Sequence, residues 1–113
     1  MGDRGRAEVA KVTQGDAGIA LADLLPRVAV WAAATFREET VQSKLEHLLE
    51  EVQEILAAPG DIEEYADALM LLFDAARLAG FGLAELVSAM DAKFQVNQRR
   101  EWRGFRHVKE AHA

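Results

Sequence analysis

A chain of 113 residues with thirteen Lys and Arg against nineteen Asp and Glu carries a formal charge of −6, a self-repelling surface that argues against non-specific binding to nucleic acid. It contains no cysteine, which excludes disulfides, thiolate zinc sites, iron–sulfur clusters and thiol nucleophiles together and suits a reducing cytoplasm. The length fits one compact domain that leaves much surface exposed unless subunits associate.

Residues 1 to 18 carry glycines and scattered charge without apolar periodicity and read as an N-terminal arm, with a single helical domain expected over 19–113. This arm has no apolar run of signal-peptide type, and Arg6 stands where a myristoylation signal needs Ser or Thr. No stretch approaches the roughly twenty apolar residues of a membrane span. From Ile19 to about Phe36, Leu21, Leu24, Leu25, Val28 and Trp31 recur at helical spacing, with Pro26 starting or kinking the helix. From about Glu39 to Ala57, Val41, Leu45, Leu48, Leu49, Val52 and Leu56 form one apolar stripe beneath a charged face.

Pro59-Gly60 breaks that pattern. Asp61 with Glu64 three residues on predicts a capping box opening a third helix over about 62–79, which Gly80 closes. The middle of this helix, Ala66 to Ala76, is apolar nearly all round, so burial on several sides is expected, including against another subunit. A fourth helix is predicted from Leu83 to about Trp102, followed by a tail. Strand alternation is not evident, and the pattern as a whole predicts an all-α antiparallel bundle of about four helices completed by oligomerisation.

The chemistry-bearing residues flank the second turn. Glu51 and Glu54 on helix two, and Glu64 and Asp67 on helix three, are each spaced i,i+3 and so share a helix face. In an antiparallel hairpin centred on Pro59, Glu54 stands level with Glu64 and Glu51 with Asp67. Across helices roughly 8–10 Å apart, such carboxylates can close around a cation. Acids beside apolar side chains are costly without a compensating ion. The competing reading is a solvated acidic face with first-turn acids favouring the helix dipole. A ferritin-like di-iron site is disfavoured, because the i+3 partners are never His. An all-oxygen set prefers Mg²⁺ or Mn²⁺, and Mg²⁺ commonly binds substrate phosphates.

His47-Leu48-x-Glu50-Glu51-x-x-Glu54 followed by Glu64-x-x-Asp67 resembles the EExxE and ExxD motif pair of the MazG-like all-α NTP pyrophosphohydrolases. Trp31-x-x-x-Thr35-Phe36, the segment from Glu64 to Gly80, and Lys93-x-x-x-Asn97-x-x-Arg100-x-Trp102 are similar to the phage dATP/dGTP pyrophosphohydrolase branch, which includes MazZ-type enzymes. The likeness covers about residues 28 to 107, and the short interval between the two acidic motifs favours the phage branch over the wider family.

This resemblance implies that Glu51, Glu54, Glu64 and Asp67 ligate Mg²⁺ or Mn²⁺, and that a metal-activated water attacks the α-phosphorus of a purine dNTP to give dNMP and pyrophosphate. Glu50 is a candidate general base or a supporting acid, with a plain exposed acid as the alternative. Lys93, Asn97 and Arg100 fall at i, i+4 and i+7, which by spacing alone describes a surface face and with the resemblance describes polyphosphate binding. His47 is placed to hydrogen-bond a ligand carboxylate or contact the nucleotide, although a surface histidine is the alternative. Trp31 and Phe36 are candidates for base stacking or for the core. The expected partners are a nucleoside triphosphate and a second copy of the chain, as homodimer or homotetramer, with neither nucleic acid nor membrane. The competing functions are a pyrimidine dNTP pyrophosphatase and a non-catalytic helical adaptor.

Overall fold

The computed structural model describes residues 19–109, so the expected N-terminal arm lies outside the described residues. Four helices follow one another: α1 (Leu21–Thr35), α2 (Val41–Ala57), α3 (Ile62–Leu78) and α4 (Leu83–Arg99). Two short strands, β1 (Glu101–Arg103) and β2 (Arg106–Lys109), close the described chain. The chain divides into two compact units, one ending at Gly80 and one beginning at Phe81. The all-α class read from the sequence is the one observed.

In the first unit α2 and α3 start where the sequence offers a cap, whereas α1 begins after Ala20 with no side-chain cap. Thr40 accepts a hydrogen bond from the Ser43 amide at 3.1 Å while the Ser43 hydroxyl accepts one from the Thr40 amide at 2.8 Å, a reciprocal box that starts α2. Asp61 opens α3 by accepting from the Glu63 amide at 3.0 Å. Glu64 forms no reciprocal box with Asp61, contrary to the expectation from its spacing; its carboxylate is part of the acidic cluster described below. Tyr65 Oη donates to the Pro59 carbonyl at 2.8 Å and pins the α2–α3 turn to the first turn of α3. Gly80, at φ 102°, ends the helix in a conformation that side chains with a Cβ resist. Pro26 lies inside α1, within its first two turns.

The α2–α3 hairpin is the framework of this unit, and α1 packs on α3. Its interior is small and mixed: Ala32, Leu71 and Ala75 are buried together with Lys44, Glu51 and Asp74. The expected all-round burial of α3 is not met within one chain, because Leu69 is 56% and Leu72 50% exposed. Leu49 and Leu56 on α2 are exposed as well.

In the second unit, Glu85 accepts from the Gly82 amide at 3.0 Å and caps α4. The helix stops three residues short of the predicted end: Arg100 is already extended, at φ −81° and ψ 150°. An antiparallel hairpin then replaces the expected tail, turning at Gly104 with φ 64° and pairing Trp102 with His107. Strands of three and four residues are too short to show an alternating pattern in sequence.

Candidate active site

Because α2 and α3 run antiparallel from a short turn, residues equally far from Pro59 in sequence meet across the hairpin. The turn itself is held by the Ala58 amide donating to the Glu54 carbonyl at 2.9 Å and the Asp61 amide donating to the Ala58 carbonyl at 3.1 Å. One carboxylate oxygen from each of Glu51, Glu54 and Glu64 lies within 4.8 Å of the others. Glu51 is buried, Glu64 half-buried and Glu54 exposed, so the cluster runs from the hairpin interior to its surface.

Glu51 carries the main electrostatic tension. Its Oε2 is buried without a hydrogen-bond partner, and its Oε1 is 3.6 Å from His47 Nε2, too long for a good hydrogen bond. Burial first, and then the neighbouring carboxyls of Glu54 and Glu64, push its pKa up from 4.5 to about 7. Three acids this close relieve their repulsion by holding either a proton or a cation. Two oxygens on opposite sides of one Mg²⁺ stand about 4 Å apart, so small side-chain rotations would bring the 4.8 Å cluster around a shared ion. The oxygen-only donor set and the unpartnered buried Oε2 of Glu51 both fit a hard divalent cation.

Asp67 lies outside that three-acid cluster and is exposed, but it lines a pocket together with Glu51 and His47. The pocket, of about 370 Å³, is walled by Val28, Trp31, Phe36, Met70 and Leu71. Trp31 and Phe36 meet edge to face with ring centroids 5.3 Å apart. At 59% and 40% exposed they are pocket walls, and the alternative placing them in the core does not hold. Glu50 is exposed and belongs neither to the acidic cluster nor to the pocket lining.

At another part of the pocket lie Lys44 and Asp74, neither of which was singled out in the sequence. Lys44 Nζ is 3.2 Å from Asp74 Oδ2 and 4.2 Å from the Phe36 ring centroid. Arg77 Nε donates to Asp74 Oδ1 at 2.7 Å. Desolvation raises the Asp74 pKa, but the Arg77 hydrogen bond and the adjacent Lys44 ammonium outweigh it and hold the carboxyl below its usual 3.8. The available signal was an acid inside an otherwise apolar helix, level across the hairpin with a lysine on α2.

The second unit brings part of the predicted phosphate-binding set together in a form the spacing did not anticipate. Lys93 and Asn97 are on α4, but Arg100 lies beyond its end and so does not continue that helix face. Its guanidinium nevertheless donates to Asn97 Oδ1 at 3.2 Å, and Trp102 Nε1 donates to the Asn97 carbonyl at 2.8 Å. Asn97 thus anchors the α4-to-β1 junction.

A family model described as dATP/dGTP pyrophosphohydrolase matches residues 24–113. A dATP/dGTP diphosphohydrolase of Salmonella phage PMBT28 is 35% identical over 83 residues, 73% of this chain; the chain spans 28% of that relative's length. Among solved structures, the MazG-like pyrophosphohydrolase of cyanophage S-2L, bound to dGDP and three catalytic Mn²⁺ ions per active site, is similar with a TM-score of 0.69 and 29% identity. That match covers 80% of this chain and 99% of the cyanophage one. With the helical hairpin, its acidic cluster and a family match over most of its length, the chain belongs to the dATP/dGTP pyrophosphohydrolase family.

Proposed function

We propose that this chain is a divalent-metal-dependent hydrolase that converts dGTP and dATP to the corresponding monophosphate and pyrophosphate. The observation that carries the reading is the buried, unpartnered Glu51 oxygen within a three-carboxylate cluster that borders an aromatic-walled pocket. Glu51, Glu54 and Glu64 would hold Mg²⁺ or Mn²⁺, with Asp67 completing the set from the pocket side. When bound, such cations supply charge neutralisation on the polyphosphate and acidify a water molecule.

The chain's own residues provide the remaining functions. Trp31 and Phe36 offer aromatic surface to a base within the pocket. His47, 51% exposed at its side chain with Nε2 3.6 Å from Glu51 Oε1, stands beside that ligand in the pocket lining and is assigned to contact the nucleotide. Glu50, exposed and outside the cluster, is not among the ligands in this reading. Lys93, Asn97 and Arg100 are assigned to the polyphosphate oxygens on the motif resemblance. The exposed apolar side chains of α2 and α3 support association of copies of the chain as a homodimer or homotetramer. In an infected host cell the activity would reshape the purine dNTP pool.

The test is product analysis after separate incubation with dGTP, dATP, dCTP and dTTP in Mg²⁺ or Mn²⁺, with Glu54→Gln as control. Monophosphate and pyrophosphate from the purines, lost in the control, are the expected result. Conversion of pyrimidines only would replace the substrate class, and no turnover of any nucleotide would return the chain to the adaptor reading.

A further inference from the structure

The Lys44–Asp74 pair is not used by the function just proposed, yet it is the most buried charged feature of the pocket. Each partner lies seven residues along its helix from a proposed metal ligand, Lys44 from Glu51 and Asp74 from Asp67. Seven residues are two helical turns, about 10 Å, a span comparable with that from the α-phosphate of a nucleotide to the far edge of its base. The rings of Trp31 and Phe36 line the same pocket. A nucleotide with its phosphates at the carboxylates and its base against these rings therefore presents its base edge to Lys44.

A buried ion pair is a poor device for stability alone, since apolar residues of similar volume commonly serve as well. Here Asp74 is flanked by two cations, Lys44 and Arg77, so the group carries net positive charge and favours a ligand edge rich in acceptors. Lys44 Nζ lies 3.2 Å from Asp74 Oδ2 and 4.2 Å from the Phe36 ring centroid, and Lys44 lines the pocket, so its ammonium, with three donors, borders the space a base would occupy.

We propose that Lys44 is a specificity-determining residue that donates to the O6/N7 edge of guanine, held in position by Asp74, and so selects guanine over adenine. Guanine presents two acceptors on that edge, whereas adenine places an amino donor at the 6-position, facing the ammonium with another donor. The inference rests on the hydrolase reading for the orientation of the nucleotide, and its test does not require turnover.

The experiment is calorimetric titration of dGMP, dIMP and dAMP, in Mg²⁺, into wild-type protein and Lys44→Met, with thermal melts of both. dIMP carries the 6-keto group without the 2-amino group, so it isolates the edge that Lys44 reads. The expected wild-type result is dGMP and dIMP within about threefold of each other and roughly tenfold or more tighter than dAMP. In Lys44→Met the preference falls to within about threefold while dAMP affinity is retained, an effect on selectivity that a purely structural role would not produce. Equal binding of dIMP and dAMP to the wild type, or equal weakening of all three in the variant, would overturn the proposal. Should Lys44→Met not fold, Lys44→Gln takes its place in the same titrations with the same expected loss of preference, and equal binding of dIMP and dAMP to the wild type still overturns the proposal. Selective binding without turnover would overturn the hydrolase reading alone, and turnover with unselective binding would overturn this one alone.

Discussion

Glu51 is where burial and charge conflict most directly, and the conflict has a sign that can be measured. Its native pKa of about 7 exceeds the ordinary 4.5, so between those values the folded state binds more protons than the unfolded state. Metal-free stability should therefore fall as pH rises from about 4.5 to about 7 through this group, and level off above. Cation binding reverses the penalty, so thermal melts with and without Mg²⁺ should show a larger metal-induced rise at pH 8 than at pH 5.5. Asp74 has the opposite sign: its depressed pKa contributes stability that is present above 3.8 and is lost as pH falls through the lower native value. Asp74→Asn leaves the buried Lys44 without its counter-charge and should cost on the order of 3 kcal/mol in urea denaturation. Glu50→Gln, lying outside the cluster, should leave metal affinity within about threefold of wild type and lower turnover by less than about tenfold.

The legibility of individual residues followed how local their determinants are. Glu51, Glu54 and Glu64 were readable because i,i+3 spacing and mirror placement about Pro59 constrain them within one hairpin. Asp67 was grouped with them by the same rule, but it falls outside the tight cluster and lines the pocket. Lys44 and Asp74 obey the mirror rule as well, further from the turn, where an intervening apolar run hid their relation.

At the scale of elements, starts were clearer than ends. The hairpin helices begin at Thr40 and Asp61, whose side chains cap the first turn, and replacing Thr40 with Ala should lower stability by about 1 kcal/mol. Gly80 terminates α3 at φ 102°, so Gly80→Ala should cost about 1–2 kcal/mol without altering the acidic cluster. The end of α4 was read too late because Arg99 and Arg100 are both good helix formers and no glycine or proline marks the boundary. What stops the helix is a tertiary arrangement: the hairpin after Arg100 and the hydrogen bonds that Arg100 and Trp102 make to Asn97.

At the scale of the whole molecule, the apolar faces of α2 and α3 are the unsettled feature of a single chain. Leu49, Leu56, Leu69 and Leu72 are each at least half exposed, more than a small helical domain ordinarily presents to water. Sedimentation should therefore give a mass above the 12.4 kDa of one chain, and Leu69→Glu with Leu72→Glu should shift it towards that value. The same faces explain why helical periodicity predicted burial on all sides of α3: the pattern records what a face is suited to, not which neighbour covers it.

The most direct test of the central claim is the Mn²⁺ dependence of monophosphate formation from dGTP, measured in parallel for wild type and Glu51→Gln. Turnover that is absent in chelator, saturates with Mn²⁺ and falls more than about a hundredfold in a folded Glu51→Gln is the predicted result. Turnover in chelator, or a Glu51→Gln variant as active as wild type, would contradict the assignment of the acidic cluster as the catalytic metal site.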